Sequence, residues 1–303
     1  MFDVIIIGGS YAGLSAAMPV ARARRKLAVV DAGLRRNRFA KTSHGFIGRD
    51  GHAPGAIAAE AKAQLLAYPT VEWIDGTAVN AGGEVDAFRV ELGDGRRLEG
   101  RRIVLATGME DILPDMPGLK EQWGVGAVIC PYCHGYEFQQ GALGVLATGP
   151  NSIHQALLVP DWGATTLFVN GAIAEDQLPL ADLTRRNVAI ERTPVVSIDG
   201  EPGQPVVKLA DDRSVPLAGL FVATTVRMPD AVIQGLGCAT ETTRAGAAIK
   251  ADMMKQTSVP GVFACGDITR GNGSVPLAVG DGAMAGAAVH RSLVFPETLP
   301  KAA

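Results

Sequence analysis

Phe2-Asp3-Val4-Ile5-Ile6-Ile7-Gly8-Gly9-Ser10-Tyr11-Ala12-Gly13 is a β-branched apolar run followed at once by a turn of small residues. Asp3 to Ile7 reads as a buried strand, Gly8 to Gly13 as a tight turn, and Ala12 to Arg24 as a helix that Pro19 would kink. Lys26 to Asp31 supplies a second strand and completes a βαβ start. In Gly8-x-Ser10-x-x-Gly13 the first glycine permits the turn and the last lets helix and strand pack closely. Ser10 is small enough for the pyrophosphate position and adds a hydroxyl donor. Tyr11 and Ala12 lie where the helix would offer free N–H groups and a positive dipole end to phosphate. Asp31, followed by Ala32, stands where ribose hydroxyls would donate. A glycine turn alone is a common structural device; strand, helix and acid at these spacings together predict a dinucleotide site.

Working outward, short strands are expected at Val71 to Ile74, Thr77 to Val79, Phe88 to Leu92 and Ile103 to Ala106, with turns at Gly82-Gly83 and Asp94-Gly95. Ile103 to Gly108 reads as the strand that returns to the first sheet. A second βαβ pattern begins with strand Leu143 to Ala147, a turn at Thr148-Gly149-Pro150, a helix to about Val159 and a strand at Thr165 to Asn170. Strands at Val195 to Ile198, Val206 to Leu209 and Leu220 to Thr224 carry the chain to Val259 to Asp267, and a final helix spans roughly Val279 to Leu293. The expectation is an α/β protein with two Rossmann-like, three-layer (ββα) nucleotide-binding domains, the second inserted into the first.

With 303 residues, 47% hydrophobic content and 37 glycines, the composition suits a globular protein of two domains with many tight turns. A net charge of -3 gives no footprint for nucleic acid or an anionic membrane. No apolar run approaches the ~20 residues that span a bilayer. The opening strand, in place of a leader segment, sets the expectation of a cytoplasmic protein. The four cysteines are too few for a disulfide framework, and Cys238 and Cys265 read as small core residues.

Cys130-Pro131-Tyr132-Cys133-His134 is therefore the reactive candidate. The spacing is compatible with a redox dithiol, a metal site, a c-type haem attachment or inert thiols. Structural zinc needs two more ligands at suitable spacing, which the chain lacks, so no metal is expected. Haem attachment belongs to exported polypeptides, whereas this motif lies between two nucleotide-binding patterns. A thiolate in such a motif is stabilised by nearby cationic or helix-terminal charge, and exchange proceeds through a mixed disulfide. His134, with a reference pKa near 6.5, suits a base at neutral pH; its alternative reading is a cap on the following helix.

Val262-Phe263-Ala264-Cys265-Gly266-Asp267 resembles the second flavin motif of disulfide-reductase-like flavoproteins, whose Asp bonds the ribityl chain; the cofactor implied is FAD. With Gly8 to Gly13, Asp31, Ala106-Thr107-Gly108, the Cys130/Cys133 pair and Gly266-Asp267, the whole chain resembles the low-molecular-weight thioredoxin reductases. That resemblance implies a discontinuous FAD-binding domain at 1–112 and 223–303, an inserted NADPH-type domain at 113–222 carrying the cysteines, and a homodimer. It implies that Cys133 lies next to the flavin and that Cys130 faces the substrate. By position alone, Asn37 would reach the FAD phosphates or ribose. His44 would contact FAD or substrate, and Val79 the adenine through its backbone.

Departures from the family pattern sharpen the expectation. The second phosphate turn reads Ala147-Thr148-Gly149-Pro150-Asn151-Ser152, without the first glycine and with a proline inside it. The basic cluster that pairs the NADPH 2′-phosphate is replaced by Asn170 to Asp176, with two acids and no base. The Arg-Gln pair expected before the final helix is Val275-Pro276, and the Asp expected after the second cysteine is His134. His134 there resembles the dithiol oxidase branch, which closes disulfides in small sulfur metabolites such as gliotoxin and holomycin. The expected function is FAD-dependent oxidation of a small-molecule dithiol through Cys130, Cys133 and His134, with oxygen as acceptor. The competing readings are a thioredoxin-disulfide reductase fed by NADPH or another donor, and a non-catalytic flavin-binding redox sensor.

Overall fold

In the computed structural model, which describes residues 1–299, the β-branched run forms β1 (Phe2–Ile7) within a seven-stranded sheet. The others in chain order are β2 (Leu27–Asp31), β3 (Val71–Asp75), β4 (Ala78–Gly82), β5 (Phe88–Leu92) and β6 (Arg97–Leu105), with Val262–Ala264 as the last. They lie in the order β3-β2-β1-β6-β5-β4, and Val262–Ala264 also pairs β6. Pairing is parallel from β3 to β6 and with Val262–Ala264, and antiparallel through β4 and β5. A parallel strand covered on both faces needs apolar side chains in both directions, which explains the continuous run in β1. Ile5, Ile7, Val30 and Leu105 share a core with Phe88, Val90 and Leu92, and Val4 and Ile6 are buried on the alternate positions.

Helix α1 (Tyr11–Arg22), with Pro19 inside it, packs against the C-terminal helix Val275–Val294. Their close crossing depends on missing side chains: a Cβ at Gly282 would collide with the Ala12 carbonyl, and one at Gly286 with that of Ala16. Ser15 Oγ donates to the Val279 carbonyl at 2.6 Å across the same crossing.

Internal contacts divide the chain into two units: Met1–Arg36, Gly55–Glu110 and the residues from Val226 onward; and Asn37–Pro54 with Asp111–Thr225. The segment from Asn37 to Pro54 groups with the second unit, whereas the bounds implied by the family resemblance, 1–112 and 223–303, include it in the first domain. The reason is packing: Phe39 lies against Gly124, and the His44 ring meets Glu137. The second unit holds a five-stranded sheet in the order Ala189–Glu191, Gly163–Phe168, Gln140–Leu146, Gly219–Val222, Ala127–Val128, all parallel. Val145, Leu167 and Phe221 share a core with Ala156 and Leu183 of the helices. Leu146, Phe168 and Leu220 share one with Val195, Ile198, Val207 and Leu209 of an antiparallel three-stranded sheet. This alternation makes the expected three layers.

Among the described residues no helix is long and apolar enough to cross a membrane, and no group of His, Cys, Asp and Glu could hold a metal. One buried charge secures the first unit. Arg102, fully buried, donates from Nε to Ser292 Oγ at 3.1 Å and from Nη2 to the Ser292 carbonyl at 2.9 Å. Its Nη1 reaches Asp86 Oδ1 at 2.9 Å. Burial pushes the guanidinium pKa down, and Asp86 offsets part of that. Arg102→Ala leaves a void and unpaired polar groups at the end of the C-terminal helix, so a loss of about 3 kcal/mol in urea unfolding is expected. Arg102→Met, which refills the volume, should lose less.

Candidate active site

The first candidate site lies at the carboxyl ends of β1 and β6, where the strand order of the sheet reverses. Gly8 has φ 108, and a Cβ there would collide with the Ala106 carbonyl; a Cβ on Gly13 would strike the Gly8 carbonyl. The turn is therefore held against Ala106-Thr107-Gly108 as tightly as backbone allows. Gly9 N–H donates to Asp31 Oδ1 at 3.2 Å, so Asp31 steadies the turn as well as ending β2. Gly266 approaches Ala12 and begins the short 3-10 turn Gly266–Thr269, in which Asp267 is the second residue. Val275 is the first residue of the C-terminal helix.

These residues fit a nucleotide cofactor. Ser10 and Ser274, the N-caps of α1 and of the C-terminal helix, make no side-chain cap hydrogen bond, leaving both helix starts without a side-chain cap. Thr107 Oγ1 is buried with no partner. Arg36, which the sequence reading passed over, donates from Nη1 to Asp267 Oδ2 and to the Gly271 carbonyl, each at 2.8 Å. Ala32 is exposed beside Asp31. Val79 sits on the outermost strand, at an irregularity between Ala78 and Asn80 that breaks the ladder register. Asn37 and His44 belong to the other unit.

The second site is built on the strand Ala127–Val128, which the sequence reading missed because it is only two residues long. Its parallel pairing with Gly219–Val222 puts Cys130 just beyond the carboxyl edge of the sheet. Gln155 Nε2 donates to the Ile129 carbonyl at 2.7 Å and fixes the residue before the first cysteine. Cys130 is the N-cap of the short helix Pro131–His134, and one turn of it brings Cys133 within a Cα separation of 5.3 Å in a disulfide. Tyr132 packs edge-on to Trp162 at 5.3 Å and stays largely exposed.

His134 follows directly. Both ring nitrogens are buried and neither makes a hydrogen bond of acceptable geometry, although the Cys130 carbonyl lies close enough to favour the protonated ring. Burial dominates and lowers the His134 pKa below 6.5; the Cys130 carbonyl and Glu137 oppose it, and His44 adds to it. His44 reaches this site from the Asn37–Pro54 segment. Its Nε2 is 3.4 Å from Glu137 Oε1 and 3.1 Å from Thr42 Oγ1, and its Nδ1 is 3.5 Å from Asp50 Oδ1. Asp50 also accepts from Gly45 N–H at 2.7 Å, which holds the loop in shape and, as the main cause, lowers the carboxyl pKa. Sequence reasoning missed Glu137; its signal was the spacing of three residues beyond His134, one helical turn.

The second phosphate turn is occupied by its own side chains. Thr148 N–H donates to Ser152 Oγ at 3.0 Å, and Thr148 Oγ1 donates to the Ala223 carbonyl at 2.6 Å. Beyond it, the two acids of Asn170 to Asp176 are not without a base, as the sequence window implied. Arg192, after the next strand, pairs with Glu175 through Nε, 3.1 Å from each carboxylate oxygen.

Two nucleotide-type units, one carrying a Cys-x-x-Cys disulfide, define a thioredoxin reductase-like flavoprotein oxidoreductase. The comparisons with known proteins agree: the family model described as pyridine nucleotide-disulphide oxidoreductase matches residues 2–159 and 174–282, and the chain belongs to that family. Thioredoxin reductase tcpT of Claviceps purpurea (strain 20.1) is 33% identical over 296 residues, 94% of this chain and 92% of that protein. Among solved structures, an oxidoreductase from Agrobacterium tumefaciens is 53% identical with TM-score 0.93, covering 97% of this chain and 99% of that one. HlmI is 37% identical with TM-score 0.90, covering 98% and 93%.

The depressed His134 pKa has a sign that can be checked. The folded state resists protonating this ring while the unfolded state takes a proton near 6.5. Its contribution to stability is therefore full above 6.5 and is lost as pH falls through the lower folded value. Urea unfolding between about pH 5 and about pH 7.5 should show a shallower loss of stability on acidification in His134→Asn than in the wild type.

Proposed function

We propose that this protein is an FAD-dependent dithiol oxidase that closes a disulfide in a small-molecule dithiol, acting as a homodimer, with oxygen as the final acceptor. The observation that carries this reading is His134: a histidine next to Cys133, with both nitrogens buried and unpartnered and its pKa pushed below 6.5. A ring kept neutral at pH 7 is a base, and a base beside a disulfide serves the oxidation of an incoming thiol. The self-occupied turn at Thr148 to Ser152 and the acid at Glu175 supply the complementary argument, because neither favours a 2′-phosphorylated nicotinamide.

In the proposed sequence His134 takes the proton of the first substrate thiol, and the thiolate attacks Cys130 Sγ. The Cys130–Cys133 bond breaks and Cys133 leaves as thiolate. The second substrate thiol, deprotonated in turn, attacks the substrate sulfur of the mixed disulfide. Its bond to Cys130 breaks and the product leaves as a disulfide, two electrons having passed to the cysteine pair. Gln155, by holding the Ile129 carbonyl, orients Cys130 for the attack. Gly8 to Gly13, Asp31, Thr107, Asp267 and Val275 would hold FAD, with Arg36 orienting Asp267. When bound, FAD would supply the two-electron redox chemistry that links the reduced cysteine pair to oxygen as acceptor.

A second reading, disulfide reduction fed by NADPH, draws on Arg192, a cation at the edge where a 2′-phosphate would sit, and on the name carried by tcpT. One experiment separates the two. Under anaerobic conditions, dithiothreitol should bleach the flavin absorbance while NADPH and NADH leave it intact, and air should restore it with release of peroxide. Cys133→Ser should abolish the dithiol response. Rapid bleaching by micromolar NADPH would sink the oxidase reading in favour of the reductase.

A further inference from the structure

Gly266-Asp267 stands in a stretch that its own backbone does little to fix. Gly266 and Gly271 both lie in the left-handed region, at φ 78 and φ 75, where glycine has the most freedom to lose. The turn Gly266–Thr269 ends at Arg270, and the N–H groups of Arg270 and Gly271 both donate to the Asp267 carbonyl, at 3.0 and 2.7 Å. On the entering side, just before Cys265-Gly266, Ala264 N–H donates to the Lys255 carbonyl at 2.9 Å. Lys255 is itself at φ 64, a conformation that favours glycine, yet its side chain is used: Nζ is 2.8 Å from Asp281 Oδ1. The other oxygen of Asp281 accepts from Arg270 Nη2. Asp281 is 8% exposed and stands on the C-terminal helix beside Gly282, whose backbone lies against the Ala12 carbonyl of α1.

Resting on the reading of Asp267 as a flavin ligand, we propose that Asp281 is a positioning residue for the cofactor: through Lys255 and Arg270 it braces the chain on both sides of Asp267. One carboxylate, on a helix packed closely against α1, thereby holds the strand that enters the turn and the residue that ends it. Arg36 does the rest, donating from Nη1 to Asp267 Oδ2 and to the Gly271 carbonyl, each at 2.8 Å. The Asp267 carboxylate thus keeps its place before a ligand arrives, and less freedom is lost when one binds. An ion cluster that only stabilised the unit would affect every ligand of the unit alike. A brace on this turn affects only the part of a flavin nucleotide that Asp267 touches. ADP separates the two cases, because it carries the ribose and phosphates that suit Asp31 and Gly8 to Gly13 and lacks the ribityl chain.

The test is calorimetric titration of the full-length protein, freed of flavin, with FAD and with ADP. Asp281→Asn, which keeps the volume, should weaken FAD binding by about tenfold and change ADP binding by less than about twofold. In an Asp267→Asn background the same substitution should have almost no further effect on FAD, because the brace acts through Asp267. Unchanged FAD affinity, an equal loss for both ligands, or full additivity with Asp267→Asn would overturn the proposal. Asp281→Asn leaves the Lys255 and Arg270 cations without their carboxylate; if that variant does not fold, Arg270→Gln, which keeps the Lys255–Asp281 pair, takes its place with the same outcomes expected. Hydrogen exchange needs no ligand. In either variant, peptides covering 264–271 should exchange about tenfold faster or more, while those covering Phe2–Ile7 stay protected. No change in the 264–271 peptides would also overturn the brace. If the wild type does not take up FAD, the flavin reading fails, and exchange still decides whether Asp281 holds the turn.

Discussion

Two residue pairs of parallel ladder, Ala127 with Leu220 and Val128 with Phe221, decide where the Cys130–Cys133 disulfide sits. Parallel pairing sends every strand of the second sheet out at the same edge, so the turn after Gln140–Leu146 and the cysteines after Ala127–Val128 emerge on one side. A strand so short is stable only because Leu119, Ala127, Leu146 and Leu220 share one core beneath it. Gln155 then ties Ile129 from the neighbouring helix, so Cys130 starts from a held backbone. Rigid support of this kind matters for thiol exchange, whose rate depends on alignment of three sulfurs.

The same architecture is used differently in the two units. In the first, backbone approaches backbone at Gly8, Gly13 and Ala106, and the space this opens is bordered by uncapped helix starts, an unpartnered Thr107 hydroxyl and the carboxylate of Asp267. Such a surface fits a phosphate-bearing ligand. In the second, the corresponding turn has Ser152 in its place, and the hydroxyl satisfies Thr148 N–H from within. A donor already bonded gains little from a ligand oxygen, because the exchange replaces one hydrogen bond by another.

Much of this was legible in the residues themselves. The strand, turn and helix at the N-terminus follow from periodicity and glycine spacing, and the strands at Phe88–Leu92 and Val206–Leu209 fall on their expected bounds. Boundaries shifted where side chains carry no signal. The strand expected from Thr165 to Asn170 ends at Phe168, because Asn170 leaves the extended region and uses its side-chain oxygen to accept from Val195 N–H at 2.9 Å. The Ala127–Val128 strand is too short for any alternation to register.

By itself the sequence determined what is local: the phosphate turn, the Cys130/Cys133 loop, and the adjacency of His134 to Cys133, since covalent neighbours stay neighbours in any fold. Only the tertiary structure decided what meets across long loops. Arg36 finds Asp267, Arg192 finds Glu175, and the segment carrying His44 leaves the unit it is chained to and packs beside Glu137. Closing a long loop costs little more than closing a short one, so separation along the chain does not select these partners. Burial and charge select them, and both exist only once the chain has folded. That is why His134 beside Cys133 could be read from the residues, whereas its environment could not.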